Sequence, residues 1–483
     1  MVFSSHLFLF YFLPLALGIY ALTPRRLRAL SLTLLSYVFY GWANPLFCAL
    51  LLFSTAVDYA CGRALVGWRS ITEIGDLPLL EPGGPRSRRQ RALVAVSVIT
   101  NLGLLGFFKY FNFGVDSLNA ALVALGLEPI GAVLEVALPL GISFYTFQSM
   151  SYTIDVYRGR AAPQRHFIDF ACYVALFPQL VAGPIIRYHE LADQIRARTH
   201  TWEKAARGIA LFLIGLTKKI CLANPCGKVA DTAFSAAELH ALDAWLGLVA
   251  YAFQIYFDFS GYSDMAIGLG LILGFTFPKN FDSPYRSESI TEFWRRWHIS
   301  LSAWLRDYLY IPLGGNRISP RRTYINLLVV MLLGGLWHGA SWTFVVWGAI
   351  HGLLLAVERA LGQQPIYRRL PRPLRIALTF GLVCIAWVFF RAESVAHAAD
   401  YLCALVGARC AGDAAWLAAA VIRHPVYLSI ASLAAALVWY APQSTEWTRR
   451  LSAVKLAAAA ALGALSVAVM TVEEFNPFIY FIF

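Results

Sequence analysis

Long apolar runs, separated by short polar segments, make up most of this sequence of 483 residues. Runs of roughly 20 apolar residues are typical of helices that span a membrane. The run 29–61 is too long for one such helix, and the segment 41–45 (Gly-Trp-Ala-Asn-Pro) is predicted to divide it into two. The first run covers 2–22, and the later ones predict spans near 92–112, 137–157, 205–223, 243–275, 324–338, 341–360, 374–391, 425–441 and 452–471. The pattern therefore predicts an all-α, polytopic integral membrane protein with about 11–12 transmembrane helices.

Basic residues concentrate in the short segments between these runs, namely 23–28, 62–91, 158–165, 187–207, 317–322, 359–375 and 449–455. Such an excess marks the cytoplasmic side of a membrane protein, which places the N-terminus on the opposite side. The composition agrees, since 59% of the residues are hydrophobic and only 14% are charged. The loops account for the net charge of +12, so nucleic acid is not an expected partner.

Two segments fit poorly as simple spans. Residues 166–187 contain two prolines and a glycine within an apolar run, and residues 285–317 combine Trp, Arg, Asp and His. Interrupted backbone at membrane depth is tolerated only where protein or a water-filled cavity satisfies its polar groups. Both are therefore predicted to be re-entrant or interfacial elements that wall a funnel on the cytoplasmic side. No internal repeat stands out, and residues 1–483 are predicted to form a single membrane domain.

Polar residues interrupt the apolar pattern most often in residues 251–352. Asp258, Ser260 and Asp264 lie within one predicted span, where a hydrogen-bonded structural role between helices is the favoured interpretation. The alternative is that they orient catalytic groups. The eight cysteines contain no CxxC pair and mostly lie in apolar runs, so no metal site is expected.

Two histidines in this region are the candidate catalytic residues. His338 lies in an apolar run, where an ionisable side chain is by default a functional residue. His298 follows an aromatic and basic segment. A neutral imidazole is a plausible general base because its ordinary pKa lies close to working pH. His351 is a weaker candidate.

The segment around His298 is dense in charged and aromatic residues. Its arginines, Arg295, Arg296, Arg306 and Arg317, match the geometry of phosphate oxygens, although snorkelling at lipid headgroups explains each of them equally well. Tyr310 could line a channel with His298, and Gly314-Gly315-Asn316 is a turn signal.

These residues resemble the membrane-bound O-acyltransferase family. The segment from Arg295 to Asn316 is similar to that family's hallmark, and Trp337-His338-Gly339-Ala340 is similar to its catalytic-histidine motif. The segments 44–45, 177–185 and 476–483 resemble the bacterial alginate O-acetyltransferase branch of the family.

The resemblance implies a ring of helices around a central funnel, with both histidines near its narrow point. It makes His338 the principal catalytic residue and His298 its partner. Candidates for binding the substrate or the donor are Arg295, Arg296, Trp297, Arg306, Asp307, Tyr310, Asn316 and Trp337.

The resemblance further implies acetyl-CoA as the cytoplasmic donor, with no bound cofactor. An acetyl group would cross the bacterial inner membrane to modify an extracytoplasmic, alginate-like polysaccharide. The N-terminus is expected on the periplasmic side of that membrane. A separate periplasmic acetyltransferase would complete the transfer, and membrane lipid surrounds the protein. Peptidoglycan or cellulose acetylation by the same chemistry stays open.

Two other classes of function compete with the enzyme. A transporter or flippase would use the histidines as proton relays, and the inverted repeats that would support it are not visible. A non-catalytic scaffold of an export complex would not need His338. Because both histidine motifs are intact, the sequence favours an O-acyltransferase.

Overall fold

Helices form the regular secondary structure of this protein. The computed structural model describes residues 1–67, 77–131, 134–362, 364–408, 412–473, 475–477 and 479, and none of these residues lies in a strand. The all-α class predicted from the apolar runs is therefore confirmed. Parts of two predicted features, residues 68–76 of the basic loop 62–91 and most of the terminal segment 476–483, lie outside the described residues.

Backbone contacts divide the described chain into two compact units. The first unit covers Met1–Trp202 and Gly270–Phe277. Its helices are α1 (Leu13–Leu22), α2 (Arg28–Gly41), α3 (Leu46–Val66), α4 (Arg88–Ala124), α5 (Ile142–Arg158), α6 (Phe167–Ala175), α7 (Phe177–Leu180) and α8 (Tyr188–Arg196), with a π-helix at Leu7–Phe12 and a 3-10 helix at Arg25–Leu27.

The second unit covers Glu203–Leu269 and Pro278–Phe483 and contains both candidate histidines. Its helices are α9 (Trp202–Thr217), α10 (Asn224–Ser235), α11 (Ala241–Ile272), α12 (Ile290–Arg296), α13 (Ile299–Leu305), α14 (Pro320–His338), α15 (Trp342–Ala360), α16 (Arg372–Arg391), α17 (Val395–Leu405), α18 (Ala414–Ile422), α19 (Pro425–Tyr440), α20 (Ser444–Trp447) and α21 (Ala453–Val472), with π-helices at Lys218–Ala223 and Arg306–Tyr310 and a 3-10 helix at Pro284–Arg286. The prediction of one domain over residues 1–483 stays a prediction.

Several of the helices are long and apolar enough to cross a membrane. Among the described residues there are six by length and composition, or seven if the bent pair α18–α19 is one span. The six are Leu46–Val66, Arg88–Ala124, Trp202–Ser235, Trp342–Ala360, Arg372–Arg391 and Ala453–Val472. They establish a multi-pass membrane protein, while the predicted count of about 11–12 crossings and the funnel stay predictions.

Breaks in the apolar pattern coincide with the ends of helices. The segment 41–45 separates α2 from α3, as predicted. Residues 166–187 form the short helices α6 and α7 followed by irregular chain, and residues 285–317 form only short helical pieces, which confirms that neither is a simple span. The sequence pattern did not predict α17 and α18.

Close packing of α14 against α15 fixes the position of His338. A Cβ atom on Gly335 would lie 2.2 Å from the carbonyl oxygen of Phe344, and one on Gly348 would lie 2.4 Å from that of Met331. Only glycine permits these helices to approach so closely. Because His338 is the last residue of α14, this contact holds it against the start of α15.

Candidate active site

His338 lies in an aromatic pocket of the second unit. Its ring centroid is 5.0 Å from that of Trp337, 5.3 Å from that of Trp347 and 5.2 Å from that of Phe390, and all three contacts are edge-to-face. The side chain is buried, with an exposed fraction of 7%. These contacts leave the ring little orientational freedom and keep the surroundings apolar.

His298 has an unusual backbone conformation at the junction of α12 and α13. It caps α13 with φ of 42° and ψ of 57°, and it is one of three non-glycine residues with positive φ in the described chain. Left-handed backbone costs a residue with a Cβ atom about 1–2 kcal/mol, so tertiary contacts must hold it. Backbone hydrogen bonds supply them, since Ile299 donates to Asn280 at 2.9 Å and Asp282 donates to Arg296 at 2.9 Å.

Helix α12, which leads to His298, is anchored to α15 at its first turn. The buried carboxylate of Glu358 accepts hydrogen bonds from the backbone N–H groups of Ile290 at 2.7 Å and Thr291 at 2.8 Å. Carboxylates are favourable at this position because the N-terminal N–H groups of a helix carry partial positive charge.

Asn280 determines which nitrogen of His298 carries the proton. The Oδ1 atom of Asn280 must be the acceptor, because the backbone N–H of Ser300 donates to it at 3.2 Å and can only donate. The Ser300 hydroxyl also donates to Oδ1 at 2.9 Å, and Asn280 Nδ2 donates to the hydroxyl of Ser263 at 3.1 Å. His298 Nδ1 lies 3.2 Å from the same Oδ1 and must therefore be protonated. In the neutral ring, Nε2 then carries the lone pair.

The surroundings of His298 keep its ring neutral. The side chain is fully buried, and burial lowers its pKa from the ordinary value of 6.5 to about 3. Phe259 packs edge-to-face against it with ring centroids 4.6 Å apart. Among the described residues, Nε2 has no hydrogen-bond partner. This nitrogen is thus a desolvated lone-pair acceptor that is available to a hydroxyl group.

The two histidines, 40 positions apart in sequence, lie next to each other in the fold. Their ring centroids are 6.4 Å apart, and Trp337 contacts both rings, at 6.1 Å from His298 and 5.0 Å from His338. Two imidazoles at this spacing can contact one hydroxyl group that binds between them. The arrangement suits proton removal from an acceptor alcohol.

His351 is held in the opposite tautomer. Trp294 Nε1 donates to its Nδ1 at 3.3 Å, so the proton of the neutral ring lies on Nε2. The ring is fully buried and packs against Trp347, with centroids 4.9 Å apart. His351 Nε2 is therefore a hydrogen-bond donor, whereas His298 Nε2 is an acceptor, and the lower ranking of His351 as a candidate stays a prediction.

The other predicted binding residues divide into two groups. Trp337 contacts both histidine rings, and Trp297 is buried among aromatic rings, 5.1 Å from Phe281 and 5.1 Å from Trp387. The remaining candidates belong to α12, the π-helix Arg306–Tyr310 or the following turn.

The arginines among them are largely committed to neighbouring carboxylates. Arg296 pairs with Glu292 at 2.7 Å, and Arg306 pairs with Asp307 at 2.8 Å. Arg295 and Asn316 are exposed, and Tyr310 is half-buried beside the turn. Asn316 and Arg317 line a separate cavity of about 430 Å³. Substrate or donor binding by these residues stays a prediction.

Asp258 and Asp264 form ion pairs with lysines of a neighbouring helix, contacts of the kind that the favoured interpretation predicted. Asp264 accepts from Lys218 at 2.6 Å and from the hydroxyl of Ser444 at 2.6 Å. Asp258 forms an ion pair with Lys219 at 2.8 Å. The two lysines are adjacent in a π-helix, and together they reach two aspartates six positions apart on α11. The Ser260 hydroxyl has no partner among the described residues, so its predicted hydrogen bond is not found there.

Sequence reasoning missed Asn280, Ser263, Glu358 and two of the aromatic residues around His338, namely Trp347 and Phe390. Asn280 follows α11 in an irregular segment that carries no motif, and its partners lie 17 to 20 positions away. A polar residue in such a segment is too common to be singled out. Its importance follows only from the contacts.

Comparison with known proteins identifies the family of this chain. The family model for membrane-bound O-acyltransferases matches residues 160–392, which include both histidines. The probable alginate O-acetylase of Azotobacter vinelandii is 52% identical over 395 residues, covering 82% of this chain and 76% of its own length. That of Pseudomonas aeruginosa is 51% identical over 395 residues, covering 82% and 73%. The peptidoglycan O-acetyltransferase of Helicobacter pylori is 36% identical over 443 residues, covering 84% and 80%.

The fold and these similarities define a class of polytopic membrane enzymes that transfer acyl groups to oxygen. The chain belongs to the membrane-bound O-acyltransferase family. It is therefore an O-acyltransferase, and the transporter and scaffold alternatives are not favoured.

Proposed function

We propose that this enzyme takes an acetyl group from cytoplasmic acetyl-CoA and passes it across the inner membrane for O-acetylation of an extracytoplasmic, alginate-like polysaccharide. His338 acts as the general base, and His298 is its partner. A separate periplasmic acetyltransferase completes the transfer to the polymer. The N-terminus lies on the periplasmic side.

The proposed step is a single acyl transfer. The oxygen of an acceptor hydroxyl attacks the thioester carbonyl, so that a C–O bond forms and the C–S bond breaks. The hydroxyl proton moves to His338, and the leaving thiolate is protonated as CoA departs. Neutral His298 accepts a hydrogen bond at Nε2. The donor is the hydroxyl group of the substrate before the transfer, or the protonated ring of His338 after it, and the bond holds that group in place.

One observation carries this proposal, namely that Asn280 holds His298 with its lone pair on Nε2 beside His338. A buried neutral imidazole with an available lone pair is suited to accept a proton or hydrogen bond at neutral pH. The acceptor class rests on the relatives, because identity to the alginate O-acetylases exceeds identity to the peptidoglycan O-acetyltransferase, at 52% against 36%.

The proposal is tested by producing the chain in an alginate-forming bacterium that lacks its own acetylase of this family. Acetate bound to alginate and acetate bound to peptidoglycan are measured from the same cells. Acetate restored on alginate alone supports the proposal. Acetate on peptidoglycan alone assigns the alternative acceptor, and acetate on neither, with the protein in the membrane, contradicts both.

The donor is tested separately in inverted membrane vesicles, which expose the cytoplasmic face. Acetyl-CoA labelled in the acetyl group is added outside the vesicles. The label that is transferred to acid-stable material inside the vesicles is then counted. We expect transfer that depends on His338. Equal label in vesicles without the chain would exclude acetyl-CoA as its donor.

Substitution of Asn280 tests the assigned tautomer. Asn280→Leu removes the acceptor for His298 Nδ1–H, and we expect acetyl transfer to fall roughly 10–100-fold. Asn280→Asp keeps an acceptor and should retain most activity. Its carboxylate also favours the imidazolium form, which raises the pKa of His298 and moves the acid limb of the pH–activity profile to higher pH.

A purely structural role for Asn280 would give another result. Both variants would then lose activity in proportion to protein level, and the pH profile of Asn280→Asp would coincide with that of the wild type. Protein level in the membrane is therefore measured alongside activity.

A further inference from the structure

A cavity of about 980 Å³ in the first unit is surrounded by basic side chains. Six arginines line it, and Asp169 is the one acidic residue among the described lining residues. The arginines are Arg25, Arg26, Arg28, Arg165, Arg196 and Arg198. Guanidinium groups in such excess repel one another unless an anion joins them. The acyl-transfer chemistry proposed above uses none of these residues.

A buried tyrosine organises one wall of this cavity. The guanidinium carbon of Arg28 lies 5.1 Å from the centroid of the Tyr20 ring, and that of Arg198 lies 5.7 Å from it. Arg198 Nε also donates to the Tyr20 hydroxyl at 2.9 Å. That hydroxyl donates to the backbone carbonyl of Leu273 at 3.0 Å, which fixes the ring. Two guanidinium groups are thus positioned around one ring before any ligand binds.

Asp169 interacts electrostatically with Arg198, but this pair of arginines has no directly bound counter-ion among the described residues. Neither Arg28 nor Arg198 forms a salt bridge with a carboxylate among the described residues. Arg28 is half-buried, so part of its charge is removed from water. Arg198 Nε and Nη1 already donate to Tyr20 and Ile195, which leaves Nη2 for a ligand, and charge-assisted hydrogen bonds from guanidinium groups favour phosphate oxygens.

A second observation points to a ligand in the same cavity. Gln164 lines it with an exposed fraction of only 1%, yet its amide nitrogen and oxygen make no hydrogen bond of ordinary geometry to any described residue. Tyr188 interacts with this amide, but a buried amide whose hydrogen bonds are incomplete is costly. A ligand that offers both donor and acceptor atoms, such as a phosphate ester with hydroxyl groups, would satisfy it.

We propose that this cavity binds a ligand with more than one phosphate group. Its volume exceeds that of one phosphate ion several-fold, and its arginines are numerous enough to hold two. The surroundings favour a lipid headgroup as the source. Arg25 and Arg26 lie in the turn between the apolar helices α1 and α2, beside Leu22 and Leu27, whose exposed fractions are 87% and 51%. Acyl chains can cover these leucines while the phosphates enter the cavity.

The test compares the wild-type protein with Arg28→Gln/Arg198→Gln. Retention of cardiolipin, which has two phosphates, is measured by native mass spectrometry, with phosphatidylcholine as the neutral lipid. Binding of inorganic pyrophosphate is measured by equilibrium dialysis. We expect cardiolipin to bind the wild type, and the double variant to bind about tenfold or more weakly. Arg88→Gln/Arg89→Gln removes two exposed arginines from the first turn of α4 and should bind as the wild type does.

Each outcome decides a part of the proposal. Loss of cardiolipin in the cavity variant alone supports a lipid ligand, whereas variant-sensitive binding of pyrophosphate without cardiolipin assigns a soluble polyphosphate. If the wild type binds neither cardiolipin nor pyrophosphate, or if the two double variants bind equally well, the proposed binding site is wrong. If Arg28→Gln/Arg198→Gln does not fold, Arg26→Gln and Gln164→Leu replace it, since Arg26 is exposed and leucine nearly matches glutamine in size.

Discussion

Replacing His338 with alanine is expected to lower polymer-bound acetate by roughly 10²–10⁴-fold, the contribution usual for a general base. The polymer itself should still be exported, because acyl transfer and not transport is lost. The measurement is acetate per unit of purified polymer from cells that produce the variant. An immunoblot of the membrane fraction checks that the protein level is normal.

Two further variants make this result specific. His338→Gln keeps a polar side chain of similar size but cannot accept the proton, so it should be as inactive as His338→Ala. His351→Gln retains an acceptor for Trp294 on the neighbouring helix and should keep activity within about threefold. Unchanged acetate in both His338 variants would remove His338 as the base and leave His298 as the candidate.

Replacing Asp258 with alanine is expected to destabilise the protein by about 3–5 kcal/mol. Asp258 and its partner Lys219 are each about 2% exposed, so the change leaves a lysine charge buried without its counter-ion. The same carboxylate accepts from the backbone N–H of Ile479 at 3.0 Å, and Lys219 donates to the carbonyl of Pro477. The variant should therefore also release Pro477 and Ile479 from these contacts. Melting temperature in detergent and protease sensitivity next to Pro477 measure the two effects.

A matched ion pair nearer the surface provides the control. Asp231 pairs with Arg391 at 2.8 Å, and its side chain is 36% exposed, so Asp231→Ala should cost less than about 1 kcal/mol. The double variant Lys219→Met/Asp258→Leu, which removes both buried charges, should recover part of the lost stability. A melting temperature of Asp258→Ala equal to that of Asp231→Ala would contradict the structural role.

Much of the helical framework could be predicted because its cause is local. Inside a membrane each backbone N–H and C=O must be satisfied within its own segment, so an apolar run of sufficient length has to be helical. The predicted spans 341–360, 374–391 and 425–441 correspond to Trp342–Ala360, Arg372–Arg391 and Pro425–Tyr440. Val395–Leu405 and Ala414–Ile422 were missed because they are short, at 11 and 9 residues.

The candidate site could be predicted only in part. A histidine within an apolar run is conspicuous, which is why His338 could be found from sequence. The arginines near His298 were equally conspicuous, but Arg296 and Arg306 pair with carboxylates one to four positions away. Residue type alone does not distinguish a ligand-binding guanidinium from one that is already paired.

The sequence by itself determined the membrane class, most helices and both candidate histidines, because apolar run length and a titratable residue within such a run are local properties. Tertiary structure decided that the two rings lie 6.4 Å apart and that Asn280 leaves the lone pair of His298 on Nε2. It also decided that Asp258 and Asp264 bind lysines of another helix. The physical reason is that proton position and ion pairing depend on atoms brought within about 3 Å by packing, and these come from distant parts of the chain.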